Sequence, residues 1–474
     1  MIDRSNSNWA IVDSTMIPLL KLLSFPAEVL PDEVRTQRSR LQAELLDAGV
    51  GGAPYVAPGD FNTLILKLTK VCNYRCKYCY DMEPDDALVH MPYKVAEAAL
   101  KEAIRLAPAK QKIKVNRPDL TVILHGGEPS LFFSELIKPL VIYGEQEAGR
   151  QGKTLFFCGQ TNLSRLTQEM VAFYEEHQIG WGVSLDGPPA LNDHFRVLAN
   201  GDGTYQLYEK ALERFPDFVR SCGILTTVSS ANQGHLLSIA RHFRDVGVPS
   251  WQWSLFQAIG LGRGCEGTFG VSADEVIRSW NELLTAVEEG EFDGFGVMPI
   301  VDYIDNLIIG AGNNMCMRKG CGAARDLLSV SADGTIEACD CLDRKGPLAG
   351  LGLIQIETED SLHRARESGT AAKIRSRDVT RGQCHTCMWL TACGGTCLAY
   401  AEDLHGRSHL QCAVAMNAFT RITESLVRSS ALRRYWQSFR KIDWDLHSSP
   451  CGNKGSVAPG ASLTRRETAV GAYE

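Results

Sequence analysis

No stretch of the 474 residues approaches the ~18 consecutive apolar residues that a membrane-spanning helix needs. The start of the chain lacks the pattern of a secretory signal. Asp3 and Arg4 come at once, and Asp13 and Lys21 interrupt the apolar residues that follow. There is no excess of positive charge. The net charge is -7, which argues against nucleic acid as the main partner. No internal repeat is present. What remains is an ordinary globular composition, 44% hydrophobic and 22% charged, long enough for a large catalytic domain and one or two smaller modules. These absences set the expected compartment as the cytoplasm, with no membrane and no nucleic-acid partner. There the 16 cysteines do not read as disulfides; clustered as they are, they point to metal or iron–sulfur sites.

The chain is organised around residues 68–81, LTKVCNYRCKYCYD, where Cys72, Cys76 and Cys79 stand as CxxxCxxC. Three thiolates in one loop can wrap one corner of a cubane iron–sulfur cluster and leave one iron without a protein ligand. Zinc also binds close cysteines, but it usually wants a fourth nearby ligand, and none follows here. Tyr78, just before the third cysteine, completes the pattern CxxxCxΦC. The loop resembles the signature of the radical SAM superfamily. The resemblance implies that the open iron holds S-adenosylmethionine and that a 5′-deoxyadenosyl radical removes hydrogen from substrate.

Around this loop, strands and helices alternate. NTLILKL, LTVIL, GWGVSL, CGILTTV and SWQWSLF read as strands. Residues 94–106, 163–177, 205–215 and 236–246 read as helices, with Leu166, Met170 and Phe173 on one face of the second. Such alternation means right-handed βαβ units and a parallel sheet. About six units, ending near Phe256, predict an α/β partial (β/α)6 barrel rather than a closed one of eight. A Gly-rich passage, 258–270, breaks the pattern before a further helix at 273–288. The expected domains are an N-terminal segment over 1–60, the barrel over 61–300, a Cys-rich domain over 301–425, and a helix with a disordered tail over 426–474. In the first segment Pro31 with Asp32 and Glu33 reads as a helix start and Gly49 as its stop. That segment is either a plain cap or a reduced peptide-binding module. The tail, rich in Gly, Pro and Ser, contains Cys451. Cys158 and Cys222 fall in strands and read as core thiols, and Cys265 lies in the Gly-rich passage.

Three motifs sit at strand ends, where such a fold places its functional loops. HGGEP covers 125–129, CGQTN 158–162 and VSLDGP 183–188. Gly126 and Gly127 allow close backbone approach, and Glu128 can face an ammonium. Thr161 or Asn162 can instead cap a following helix. All three resemble family motifs. The resemblance implies that Gly126, Gly127 and Glu128 bind the amino group of the methionine moiety. It also implies that Asn162 belongs to the pocket, and that Ser184 with Arg196, twelve residues on, holds the carboxylate. Asp186 either shapes its loop or approaches the ribose.

From Cys316 onward cysteine density rises. Cys321, Gly334 and Cys339 fit Cx12Gx4C; Cys384, Cys387, Cys393 and Cys397 fit Cx2Cx5Cx3C; Cys412 follows. In order and spacing this is similar to the seven-cysteine SPASM pattern. The resemblance implies two auxiliary [4Fe-4S] clusters, three in all with that of the first loop. One auxiliary cluster would use Cys316, Cys321, Cys339 and Cys397, with Cys341 a rival to Cys316. The other would use Cys384, Cys387, Cys393 and Cys412. Two structural zinc sites are the alternative. Asp340, next to Cys339, is in the place of the general base of anaerobic sulfatase maturases; the plain alternative is a turn residue.

The expected activity is oxidative crosslinking, thioether or carbon–carbon, of a ribosomally made peptide. Electrons would come from a one-electron reductant such as flavodoxin or ferredoxin. Formylglycine formation from Cys or Ser is the runner-up, favoured by Asp340 and the QTN triplet. The extra residues at both ends count against a minimal maturase of that kind. A reading from another class is an iron–sulfur or zinc scaffold without radical chemistry.

Overall fold

The computed structural model describes residues 20–21, 23, 30–47, 59–109, 118–310, 314–401 and 403–440. Ten strands form one sheet, in the order β10-β9-β8-β1-β2-β3-β4-β5-β6-β7. β1 (Thr63–Lys67), β2 (Leu120–His125), β3 (Leu155–Thr161), β4 (Gly180–Ser184), β5 (Gly223–Val228) and β6 (Ser250–Leu255) run parallel in chain order. Helices Tyr93–Leu106, Lys138–Arg150, Gln168–Glu176, Tyr205–Arg214 and Leu236–Val246 fall in the connections between them. A parallel sheet covered on both faces needs apolar residues on both. Thus every residue of β1 is buried, its lysine included.

The sheet runs past the end read from the sequence near Phe256. β7 (Gly296–Val297) pairs in parallel with β6. Two residues carry no period, so this strand leaves no pattern in the sequence. At the other edge β8 (Leu327–Val330) pairs in parallel with β1, Leu328 opposite Leu64. β9 (Thr335–Glu337) and β10 (Gly352–Leu353) follow antiparallel. The Cys-rich segment is therefore joined to the barrel by main-chain hydrogen bonds, through the strand that leads into the first cysteine loop.

The core is continuous from Phe61 to Trp436. Helix Ala431–Arg440 packs beneath β7, where the Tyr435 hydroxyl accepts from Val297 N–H at 2.7 Å and Trp436 Nε1 donates to Asp305 at 2.7 Å. Cys158 and Cys222 are buried core thiols. Helix Asp32–Asp47 carries Asp32 and Glu33 in its first turn and buries Leu41 and Leu45. Gly49, Cys451 and the tail lie outside the described residues, as does most of 1–60. Among the described residues no helix is long and apolar enough to cross a membrane.

The helix read over 163–177 begins later, at Gln168. Leu163 is left-handed, with φ 58°, and Thr167 caps the helix by accepting from Met170 N–H. Residues 163–166 are thus free to form a tight turn behind the CGQTN motif.

Candidate functional site

The first cysteine loop leaves the buried end of β1 and is fixed by main-chain bonds. Arg75 N–H donates to Val197 at 2.7 Å and Lys77 N–H to Phe195 at 2.9 Å. Burial pushes the Cys72 and Cys79 thiols up to about 12 and raises Cys76 too. Such thiols yield their protons to a metal rather than to water. Three thiols in one loop can ligate three irons of a cubane cluster. A tetrahedral zinc would hold its sulfurs roughly 3.8 Å apart. Among the described residues, only Cys339, Asp340 and Cys341 bring three ligand atoms within 4.8 Å of one another.

Gly126 and Gly127 lie against the loop itself. A Cβ on Gly126 would come 2.7 Å from the Thr69 carbonyl oxygen, and one on Gly127 would come 2.2 Å from that of Val71. Their small size seats the HGGEP turn on the backbone entering the cysteines. This presents Glu128, whose N–H donates to Val71 O at 2.9 Å. The Glu128 carboxylate is 1% exposed. Its Oε1 accepts from Ser130 N–H, Ser130 Oγ and Thr161 Oγ1 at 3.1, 2.5 and 2.7 Å, and its Oε2 from Asn162 N–H at 2.8 Å. Burial pushes this carboxyl up, and these donors pull it back. The Asn162 side chain donates to Asn73 Oδ1 at 3.0 Å and accepts from Ser164. HGGEP, CGQTN and the cysteine loop are thus one hydrogen-bonded unit.

Tyr78, Asp186 and Arg196 form a second buried unit. The Tyr78 hydroxyl donates to Asp186 Oδ2 and accepts from Arg196 Nη1 at 3.2 Å. Asp186 Oδ1 accepts from Thr227 N–H at 3.1 Å. Burial raises the Asp186 carboxyl against the pull of Arg196. Arg196 Nε is buried with no hydrogen-bond partner, so the guanidinium keeps donor capacity beyond its bond to Tyr78. Ser184 is not among these contacts; its Oγ accepts from Gln160 Nε2 at 2.7 Å.

From Gln160 a chain of hydrogen bonds crosses the strand ends. Gln160 Oε1 meets His125 Nε2 at 3.0 Å, and His125 Nε2 meets the Tyr80 hydroxyl at 3.3 Å. Tyr80 donates to Asp340 Oδ2 at 3.3 Å. Cys339 Sγ lies 3.4 Å from the other Asp340 oxygen. Asp340 therefore lies between the first cysteine loop and the Cys-rich segment. Gln257, just past β6, fastens that segment by donating to Cys341 O and Ala399 O, both at 2.9 Å.

The later cysteines fall into two groups. Cys316, Cys321, Cys339, Cys341 and Cys397 share one neighbourhood: Cys341 is acted on by Cys339, Cys397 and Cys316, and Cys397 by Cys321 and Cys339. Both rivals, Cys316 and Cys341, stand in it. The hydrogen bond with Cys339 lowers Cys341, yet burial leaves it at about 11. Cys384, Cys387, Cys393 and Cys412 line a single cavity with Arg407 and Met416. Arg407 donates to Cys412 Sγ at 2.6 Å and pulls down the Cys384 and Cys412 thiols, which burial raises. Each group has enough thiols for a four-thiolate cluster.

Sequence reasoning missed Gln160, His125, Tyr80 and Arg407, and also Lys67. Four of the five sit inside or beside motifs that were read: His125 opens HGGEP, Gln160 opens QTN, Tyr80 follows Cys79, and Lys67 is the last residue but one of NTLILKL. The lysine was legible as an anomaly, a cation at the inner end of a strand that the sheet must bury. Arg407 carries no such sign.

The model for the Radical SAM superfamily matches residues 66–243. A serine-type anaerobic sulfatase-maturating enzyme of Bacteroides thetaiotaomicron is 24% identical over 367 residues, 73% of this chain and 84% of the relative. A cysteine-type enzyme of Clostridium novyi is 23% identical over 350 residues, 71% and 88% respectively. The structure of native anSMEcpe with bound AdoMet superposes with a TM-score of 0.65 at 19% identity, covering 79% of this chain and 99% of that one. Streptococcus suis SuiB bound to its precursor peptide SuiA gives 0.52 at 16% identity, covering 83% and 86%. At such identities the structural likeness establishes the fold.

Proposed function

We propose, for a chain that carries a radical SAM domain and is homologous to the anaerobic sulfatase-maturating enzymes, that it is a radical S-adenosylmethionine enzyme oxidising a cysteine or serine side chain of a peptide or protein to formylglycine. The observation that carries this reading is Asp340. It adjoins an auxiliary cysteine and is joined by Tyr80 to the first cysteine loop. A base in that position serves a substrate whose thiol or hydroxyl must lose a proton.

The three thiols of the first loop would hold a [4Fe-4S] cluster, and bound S-adenosylmethionine would supply the 5′-deoxyadenosyl radical that takes hydrogen from the substrate carbon. Glu128, whose four donors oppose the upward push of burial, would face the ammonium of that cofactor. Arg196, whose Nε has no partner, would hold the carboxylate of that cofactor together with Ser184. Asp340 takes the substrate proton on the oxygen that Tyr80 steadies. The net change is a two-electron oxidation. The thiols of residues 316–412 fit two auxiliary clusters as the acceptor, with flavodoxin or ferredoxin as the outside one-electron partner.

Oxidative crosslinking of a precursor peptide is the second reading. It is favoured by the residues beyond the sulfatase-maturating relatives, whose matches span 71–73% of this chain. Mass spectrometry separates the two after anaerobic turnover with S-adenosylmethionine, a reductant and a peptide spanning the modified residue of a sulfatase. Formylglycine from cysteine loses the sulfur and reacts with a hydrazide. A thioether keeps the sulfur and loses two hydrogens. A peptide left unmodified while S-adenosylmethionine is cleaved would contradict the formylglycine reading.

A further inference from the structure

The geometry points to Lys67 as the positioning residue that sets Asp340 over the radical site. The inference rests on Asp340 being the base. Lys67 closes β1, five residues before Cys72, and is 1% exposed. Its Nζ donates to the Asp340 carbonyl at 2.9 Å, across 273 residues of chain. The same ammonium lies 3.2 Å from Asp81 Oδ1 and 3.4 Å from Glu337 Oε2. It also stands 5.8 Å from the centre of the Tyr80 ring, whose hydroxyl meets Asp340 Oδ2. One side chain thus touches the exit of the cysteine loop through Asp81, the end of β9 through Glu337, and the candidate base itself.

A fully buried lysine is rare unless it is paired. Burial alone would lower its proton affinity, but Asp81, Glu337 and Asp340 raise it above the ordinary lysine value. Its charge is therefore permanent. Asp81 is shared with Lys70, whose Nζ lies 2.9 Å from the same oxygen. Lys70 in turn contacts Asp86, which Arg344 holds at 2.8 Å. None of these other cations hydrogen-bonds Asp340. Without Lys67, Asp81 keeps Lys70, but no cation joins Asp81, Glu337 and Asp340 together, and the turn carrying Asp340 loses the hydrogen bond that holds it. Its carboxylate must meet the substrate proton to within a fraction of an ångström. A displacement near 1 Å costs on the order of 10²-fold in rate. Cleavage of S-adenosylmethionine needs no such proton and would continue.

The test measures modified peptide per 5′-deoxyadenosine in reconstituted protein, with iron and sulfide counted for each variant. Lys67→Met should form 5′-deoxyadenosine at close to the normal rate while product per 5′-deoxyadenosine falls about tenfold or more. An unmatched buried charge can block folding, so the paired variant Lys67→Met/Glu337→Gln, which removes one charge of each sign, should show the same loss at full iron content. Lys67→Arg, which keeps the charge, should recover part of the coupling. In an Asp340→Asn background Lys67→Met should add little, because both act through one carboxylate. Wild-type coupling in the paired variant would overturn the assignment of Lys67 and leave Asp340 as the base. Full multiplication of the two losses would overturn it as well. Normal product from Asp340→Asn alone would instead remove the base reading.

Discussion

Thr161→Val tests whether the strand-end motifs hold Glu128 ready for a cation. The hydroxyl donates to Glu128 Oε1 at 2.7 Å and accepts from Leu163 N–H at 3.1 Å. Valine keeps the branched shape and loses both bonds. A hydrogen bond to a buried carboxylate stabilises it by about 1.5–3 kcal/mol. Leaving the Leu163 N–H unmet costs about 1–3 kcal/mol more, and that part falls on folding. If the first part falls on the carboxylate–ammonium contact, affinity for S-adenosylmethionine drops roughly ten- to a hundredfold. The pH dependence has a definite sign. Burial raises the Glu128 carboxyl and the donors lower it. Binding an ammonium needs the ionised form, so affinity declines as pH falls. With one donor gone, the decline begins at a higher pH. Calorimetric titration of reconstituted protein across a pH series measures both effects, and Thr161→Ser, which restores the hydroxyl, should return to normal. Unchanged affinity and an unchanged pH profile in Thr161→Val would refute the role given to Glu128.

Replacing Cys72, Cys76 and Cys79 together by Ala should abolish 5′-deoxyadenosine formation while most auxiliary iron is kept; cleavage persisting under reduction would show that the open cluster lies elsewhere. Arg196→Ala should weaken S-adenosylmethionine binding roughly ten- to a hundredfold, and it should also lower the melting temperature, because Asp186 loses the cation that opposes its burial. An unaltered binding isotherm would take Arg196 out of the site. Burial would raise Asp81, but Lys67 and Lys70 hold it at about 2, below the ordinary value of about 3.9. Its contribution to stability is therefore present above about pH 4 and lost as pH falls toward 2. Urea unfolding of Asp81→Asn should show a flatter acid limb than the wild type, and equal acid sensitivity would contradict the pairing.

Much of this molecule is legible in its sequence because chemistry forces spacing. Thiols that serve one site often recur at short intervals, and Cys384, Cys387, Cys393 and Cys412 do come to line one cavity. A helix was readable around 273–288 from its apolar period, and it runs over Ala273–Glu288. Partnerships between distant residues are another matter. Glu128 and Thr161 were read as separate motifs, and no local pattern says that one holds the other. The links from Gln160 through His125 and Tyr80 to Asp340 join four segments of chain. Lys67 reads as the polar end of a strand until Asp340 is brought to it. The late start of helix Gln168–Glu176 depends on a left-handed Leu163, a conformation that a leucine side chain does not announce. The balance between crosslinking and formylglycine formation shifts with the relatives, which are sulfatase-maturating enzymes. Next to Cys339 alone, Asp340 reads equally as a turn residue, and its bond from the Tyr80 hydroxyl is one more partnership that no local pattern announces.

Asp340→Asn is the most direct test of the account. Asparagine keeps the size and can still accept from Tyr80, but it cannot take a proton at neutral pH. Radical formation does not need that proton, and oxidation of a thiol or hydroxyl does. The account predicts 5′-deoxyadenosine at close to the normal rate and modified peptide reduced by about 10²–10⁴-fold, both counted by mass spectrometry in one reaction. Modified peptide formed at close to the wild-type rate would contradict it.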